Sequence, residues 1–186
     1  METRLRDRDM IPCLLSFGSN LGDRREMLAG AWRVLGQTEN ILTVKLSSFY
    51  ETEPVGGPAG QPKYLNAAGI IQTTRLPEEL LTLLQTIEAD FGRVRAERWG
   101  ARTLDIDILL YGDQIVERPH LTIPHVAMLH RQFVLEPAQE IAADWIHPMT
   151  KKTIEEHWRE CQRPPNNSHT EEEETVEIRV RNTKTV

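Results

Sequence analysis

The chain has 186 residues, 39% of them hydrophobic and 27% charged, with a net charge of −6. That balance suits one soluble globular domain and argues against broad binding to nucleic acid or to anionic membrane. Two cysteines, Cys13 and Cys161, make no disulfide framework and fit reduced thiols in a cytoplasmic protein, and no run approaches the roughly 18 apolar residues of a membrane span.

The first ten residues, METRLRDRDM, are charged throughout and lack the apolar centre of a signal peptide. They read as an extension, 1–10, with Met10 as an alternative start. Pro12–Phe17 is a short apolar run ended by Gly18, Ser19 and Asn20, as expected of a buried central strand. Asp23 then offers a helix N-cap, with Glu26 three residues on. Leu28, Ala31, Trp32 and Leu35 follow at helical spacing, with Gly36 as the expected stop. The turn GSNLGD lacks the lysine and spacing of a phosphate-binding loop and reads as a plain strand-to-helix turn.

Thr43–Thr52 alternates Val44, Leu46, Ser48 and Tyr50 against Lys45, Ser47, Phe49 and Glu51, which predicts a strand. Tyr64–Thr73 predicts another. Between them Glu53–Lys63 holds three glycines and three prolines, a long connection of the kind that is commonly functional. Pro77 opens a second helix with a stripe of Leu80, Leu84, Ile87 and Phe91, and Gly92 ends it. Glu88 adjoins that stripe near the C-terminal end, where the helix dipole disfavours an acid.

The densest chemistry follows, in GRVRAERWGARTLDIDILL at 92–110. On a strand, Leu104, Ile106, Ile108 and Leu110 would point one way, and Asp105, Asp107 and Tyr111 the other. The two carboxylates would then stand roughly 7 Å apart on one face. Arg93, Arg95, Arg98 and Arg102 lie just upstream, and guanidinium forks fit phosphate oxygens. Carboxylates hold magnesium while substrate phosphates and water complete its shell. A magnesium–polyphosphate site and an Arg–Asp salt-bridge network are both compatible with this charge pattern.

The order β-α-β-β-α-β predicts an α+β fold, a ferredoxin-like antiparallel sheet with both helices on one face and C-terminal helical additions. Gly112-Asp113 predicts a turn, and Ile115–Ile123 a returning strand. Residues 125–147 suggest two helical fragments, and Thr153–Cys161 a last short helix. The domain is expected to span 11–162. Beyond it, 163–186 is a polar tail with four consecutive glutamates, expected to be disordered, although VEIRVRNTKTV alternates as an edge strand would.

The order GRVR–x–ERWG–x–R–TLDIDIL closely resembles the signature of the 6-hydroxymethyl-7,8-dihydropterin pyrophosphokinases. The resemblance extends to FGSNLGD at 17–23, SSFYETEPVG at 47–56, YLNAA at 64–68, LTIPH at 121–125 and R–x–F at 131–133. It implies pyrophosphoryl transfer from ATP to the hydroxymethyl group of a reduced pterin, with release of AMP. It further implies that Asp105 and Asp107 hold two Mg2+ ions and that Arg93, Arg95 and Arg102 contact phosphates. Gln85, Glu88, Trp99, Thr122, His125 and Arg131 match positions on the nucleotide side. By the same resemblance the pterin stacks between Tyr64 and Phe133, its edge read by Asn66 and by backbone near Thr52 and Val55, with Trp99 alongside. The loops at 52–63 and 93–102 would close as lids. Ala101 and Glu53 stand where the family often carries proline, and His120 and Val126 where some members carry arginine and tyrosine.

The expected partners are therefore small molecules, ATP and a reduced pterin, with no nucleic acid and no membrane, and the expected state is a monomer. No general base stands out in the sequence. Two rivals put similar residues on a similar sheet. A palm-like nucleotidyl transferase or cyclase would release pyrophosphate, and an RNA-binding module would have little use for the two aspartates.

Overall fold

The computed structural model describes residues 10–93 and 101–163. The expectations placed on residues 1–9, on Arg95, Arg98, Trp99 and Gly100, and on 164–186 lie outside them. The elements in order are β1 (Ile11–Ser19), α1 (Arg24–Gln37), β2 (Ile41–Leu46), β3 (Tyr50–Thr52), β4 (Tyr64–Thr73), α2 (Pro77–Asp90), β5 (Asp105–Tyr111), β6 (Val116–Arg118), β7 (Leu121–Ile123), α3 (Gln132–Ala142) and α4 (Ile154–Cys161). A single 3₁₀ turn, Met128–His130, precedes α3.

Five strands form an antiparallel sheet in the order β2-β4-β1-β5, with β3 pairing β4 beyond the end of β2. Its two faces are buried separately. Phe17, Ala67, Ile71, Ile106 and Ile108 pack under Leu28, Ala31 and Leu35 of α1 and Leu80, Leu84 and Ile87 of α2. Leu14, Ala68, Ile70, Leu109 and Leu110 pack on the opposite face against Val134, Leu135, Ala138 and Ile141 of α3 and Ile154 of α4. Leu84 is fully buried, so its truncation to alanine should cost about 2–5 kcal/mol.

Local chemistry accounts for most boundaries. Asp23 caps α1 by accepting from the Glu26 N–H at 3.1 Å, as its spacing suggests. The helix runs one residue past Gly36, which sits inside it, and ends where the Thr38 hydroxyl donates to the Val34 carbonyl at 2.8 Å. Pro77 opens α2, and Gly92 beyond it takes a φ of 79°, a conformation glycine adopts without strain. Thr153 and Glu156 form a reciprocal capping box at the start of α4.

Three strands differ from expectation. The run 43–52 is two strands, not one: both pair with β4, but between them the Ser48 N–H is taken by the Glu140 carboxylate at 2.9 Å. Residues 115–123 form a two-stranded hairpin, β6–β7, rather than one returning strand. In β5, Leu15 pairs with Ile108 and Leu14 with Leu110, leaving Leu109 as an extra residue in a bulge. The bulge reverses the alternation behind it. Leu110 joins the α3 side, and Tyr111 turns to the α1–α2 side, where its hydroxyl donates to the Arg75 carbonyl at 2.6 Å.

Candidate active site

Ahead of the bulge the alternation holds, and it places both acids on the face opposite α1 and α2. Cross-strand pairing extends that face. Gly18 of β1 lies opposite Asn66 of β4 on one side and Asp105 of β5 on the other, and Asn66 lies opposite Tyr50 of β3. The next row places Ser16 between Ala68 and Asp107. Side chains opposed in this way share a face, so Asn66, Gly18, Asp105 and Asp107 line one surface.

Asp105 is gripped on both oxygens. Arg93 Nη1 reaches Oδ1 at 2.7 Å and Arg102 Nη1 reaches Oδ2 at 2.5 Å. Arg93 also contacts the Glu88 carboxylate. Glu88 is only 3% exposed, and its Oε1 accepts from the Ile106 N–H at 2.7 Å, which ties the end of α2 to the start of β5. Burial raises its carboxyl above the usual range, against the Ile106 bond and Arg93, which favour the anion. The acid at this unfavourable helix end thus stands behind Arg93 and braces it.

Among the described residues no arginine grips Asp107 in this way; its Oδ2 lies 3.9 Å from His125 Nε2. Crowding by the surrounding protein raises its carboxyl, and the negative charge of Asp105 adds to this, while His125, Arg131 and Arg102 oppose it. His125 Nδ1 accepts from the Ala127 N–H at 3.2 Å, so in the neutral ring the proton is on Nε2, toward Asp107. Arg131 precedes α3 and lies with its guanidinium 5.7 Å from the Phe133 ring centre.

On the β4 side, Asn66 is buried and donates from Nδ2 to the Thr52 hydroxyl at 2.8 Å. Tyr64 lies within electrostatic range of Asp105: burial raises its hydroxyl, Arg102 and Arg93 pull it down, and Asp105 pushes it up. Thr122 pairs with Glu117 in the β6–β7 hairpin, Gln85 is exposed on α2, and Val55 is 76% exposed in the long loop.

Asn20 was not among the residues singled out by the sequence, where GSNLGD reads as a plain turn. It is 1% exposed and clasps Arg102 by the backbone: its N–H donates to the Arg102 carbonyl at 3.0 Å, and its Oδ1 accepts from the Arg102 N–H at 2.7 Å. Its Nδ2 reaches Gln61 Oε1 and the Pro62 carbonyl, each at 3.3 Å. One buried amide therefore joins the arginine segment to the base of the Gly/Pro loop. Arg24 holds the same base, donating to the Lys63 carbonyl at 2.7 Å and pairing with Glu51 at 2.8 Å.

The residues present suit magnesium. Two carboxylates stand on one face, and one of them is held in an environment that disfavours its charge. Among the described residues no group of three His, Cys, Asp or Glu side chains could by itself hold a metal ion. Magnesium commonly takes one or two carboxylates and draws its other ligands from water and substrate phosphates, so a pair is sufficient. The Arg–Asp network and a polyphosphate site are not exclusive, since a guanidinium that grips a carboxylate can take phosphate oxygens with the same donors.

Residues 14–143 match the family described as 7,8-dihydro-6-hydroxymethylpterin-pyrophosphokinase. A 2-amino-4-hydroxy-6-hydroxymethyldihydropteridine pyrophosphokinase of Haemophilus influenzae is 48% identical over 139 residues, 75% of this chain and 86% of the relative. The Synechocystis protein of the same name is 43% identical over 141 residues, 76% of this chain and 71% of the relative. Among solved structures, a doubly substituted HPPK-DHPS of Plasmodium falciparum with pterin and p-hydroxybenzoate superposes with a TM-score of 0.64 over 81% of this chain, and the chain spans 43% of that longer protein. At 13% identity that likeness is one of fold.

Proposed function

The chain belongs to the 7,8-dihydro-6-hydroxymethylpterin-pyrophosphokinase family, and from that premise we propose how its residues divide the work. It transfers a pyrophosphoryl group from ATP to the hydroxymethyl group of 6-hydroxymethyl-7,8-dihydropterin, in folate synthesis. The pterin hydroxyl oxygen attacks the β-phosphorus, the bond from that phosphorus to the α–β bridging oxygen breaks, and AMP leaves with the bridging oxygen. The hydroxyl proton passes to solvent water as the new ester forms. Such a transfer asks little covalent help of the protein and depends on alignment and on neutralising charge.

Asp105 and Asp107 would hold two magnesium ions, which when bound neutralise the triphosphate and polarise its phosphorus centres. Arg93 and Arg102 are poised at the same place, and exchange the Asp105 carboxylate for phosphate oxygens as the nucleotide binds. Arg95, in the segment between them, joins them by the family resemblance. Arginines so placed follow the negative charge as it shifts to the leaving AMP. Glu88 keeps Arg93 aimed, and Asn20 does the same for Arg102. Gln85, Thr122, His125, Arg131 and Trp99 are assigned to the nucleotide side.

Tyr64 and Phe133 are assigned to the two faces of the pterin ring, Asn66 to its polar edge, and Thr52, Val55 and Trp99 to its surroundings. Flat aromatic walls suit a flat heterocycle, and one amide can match its donor–acceptor edge. The Asn66–Thr52 bond supports this reading, because it turns the amide nitrogen to Thr52 and Oδ1 toward Gly18.

The sheet order and the placement of α1 and α2 on one face support a ferredoxin-like βαββαβ core over 11–162, with α3 and α4 as C-terminal additions. We assign 1–10 and 163–186 to flanking segments outside that core. Cys13 and Cys161 are free thiols, and no helix among the described residues is long and apolar enough to cross a membrane. We assign the protein, as its sequence suggests, to the cytoplasm as a monomer acting on small molecules, ATP and a reduced pterin.

The observation on which the assignment turns is the double grip of Arg93 and Arg102 on Asp105, with Asp107 beside it. Incubation with MgATP and 6-hydroxymethyl-7,8-dihydropterin, followed by identification of the nucleotide product, tests it. AMP is expected. Pyrophosphate release would favour a nucleotidyl transferase or cyclase instead.

A further inference from the structure

Glycine inside a strand carries a conformational disadvantage, so each one invites the question of what it serves. At Gly69 a Cβ would come within 2.5 Å of Trp32 and 2.9 Å of Phe17, and at Gly30 within 2.8 Å of Phe91. Those two are kept by packing. Gly22, Gly92 and Gly112 take positive φ, which explains them through the backbone. Gly18 fits neither account. Its φ lies outside the left-handed region, and a Cβ there would meet Asn66 Oδ1 at 3.4 Å and Tyr64 Cδ1 at 3.9 Å, both ordinary contacts. The folded protein has room for an alanine at this position.

What the missing side chain leaves is open surface at a particular place. Gly18 lies opposite Asn66 on one side and opposite Asp105 on the other. Two strand spacings make that a lane roughly 10 Å across, with an amide at one end and a carboxylate at the other. We infer that Gly18 is a specificity-determining residue, the bare floor over which the pterin lies with its hydroxymethyl arm pointing toward Asp105. This rests on the pyrophosphokinase reading given above. A methyl at Gly18 would rise into that lane beside the two groups assigned to the ring, Asn66 and Tyr64, while leaving the arginines and His125 untouched.

Gly18→Ala tests this with three measurements: thermal melting, calorimetric titration with a non-hydrolysable ATP analogue, and titration with 6-hydroxymethylpterin at a saturating level of that analogue. The expected result is a melting temperature equal to or above wild type, nucleotide affinity within twofold, and pterin affinity and kcat/KM each lowered at least tenfold. A lowered melting temperature would show that packing keeps the glycine, and would overturn the inference. So would wild-type pterin binding and turnover in the folded variant, or an equal loss of both ligands. Wild-type protein that releases no AMP from ATP and the pterin would overturn the functional reading itself, and this inference with it. An active wild type beside an unaffected variant would overturn the inference alone.

Discussion

Asn20 holds Arg102 by both of its backbone polar groups, donating to the carbonyl at 3.0 Å and accepting from the N–H at 2.7 Å. A side chain at the end of the first strand thereby fixes a residue that lies just before the fifth. Asn20→Ala removes the acceptor for the Arg102 N–H and both contacts to the loop base. An unpaired, part-buried N–H should cost about 1–3 kcal/mol, read as a lower denaturant midpoint. Turnover should fall further than stability alone explains, because the Arg102 guanidinium loses its mounting. Gln61→Ala removes one contact at the loop base but keeps the clasp on Arg102, and should retain more of the midpoint than Asn20→Ala; equal losses in the two variants would mean that the clasp does not matter.

The two acids should separate in stability while agreeing in activity. Asp105→Asn and Asp107→Asn should each abolish turnover, since each removes charge that would hold magnesium. Asp105 makes two charge-assisted contacts with Arg93 and Arg102, so its neutralisation leaves two guanidinium groups facing each other, and stability should drop by about 1–3 kcal/mol. Asp107 is the opposite case. Its folded carboxyl is raised, so its charge opposes folding once the pH exceeds the unfolded value of 3.8, and a neutral amide should leave the melting temperature unchanged or raise it at neutral pH. A large drop for Asp107→Asn, or near-normal rates in both variants, would contradict this assignment.

The same residues show where the sequence was informative. β4 was legible to its ends, because Tyr64–Thr73 is long, apolar on both faces and bounded by a Pro-rich loop and by Thr74-Arg75. The face carrying Asp105 and Asp107 was legible from alternation alone. Leu109 was not: nothing in DIDILLY marks an extra residue, and the bulge exists only in the register with Leu14 and Leu15. The break at Ser47–Phe49 has the same origin, since it depends on Glu140, more than ninety residues away in sequence. Asn20 was hidden for a related reason. Asparagine in a turn is common for local causes, and its partners at Gln61, Pro62 and Arg102 are brought to it only by the fold.

His147 and His157 predict an acid-sensitive seat for α4. Both are nearly buried, with ring centres 5.6 Å apart. Thr150 Oγ1 lies 2.7 Å from His157 Nε2, and Glu160 lies 3.8 Å from its Nδ1, with Lys152 paired to Glu160. Burial lowers His147, and His157 adds to this; burial also lowers His157, against the pull of Glu160. The unfolded chain therefore takes up these protons more readily than the folded one. Their stability contribution is complete above the ordinary value of 6.5 and is lost as the pH falls through the lower folded values. Denaturant titrations should show a falling midpoint on acidification below that value, and His157→Gln should flatten the fall. An unchanged slope in that variant would assign the acid sensitivity to other groups.

The pterin edge gives the last prediction. Asn66 donates to the Thr52 hydroxyl at 2.8 Å, and the side of Gly18 nearest Asn66 faces its Oδ1. If that oxygen accepts from the pterin, Asn66→Ala leaves a buried donor of the ligand unpaired and should cost roughly 1–3 kcal/mol of pterin affinity. Nucleotide affinity measured alone should hardly move, because the amide lies across Gly18 from Asp105 and on the side away from Arg93 and Arg102. Thr52→Val separates reading from orientation: it retains Asn66 but removes the acceptor that fixes which end of the amide faces the site. It should therefore weaken pterin binding by part of the Asn66→Ala loss and relax discrimination against pterins with an altered edge. Calorimetric titration of both variants decides the matter. Full affinity in Thr52→Val with full discrimination would mean that Asn66 is oriented by something else, and equal losses of pterin and nucleotide in Asn66→Ala would place the residue in the support of the sheet and not in the pocket.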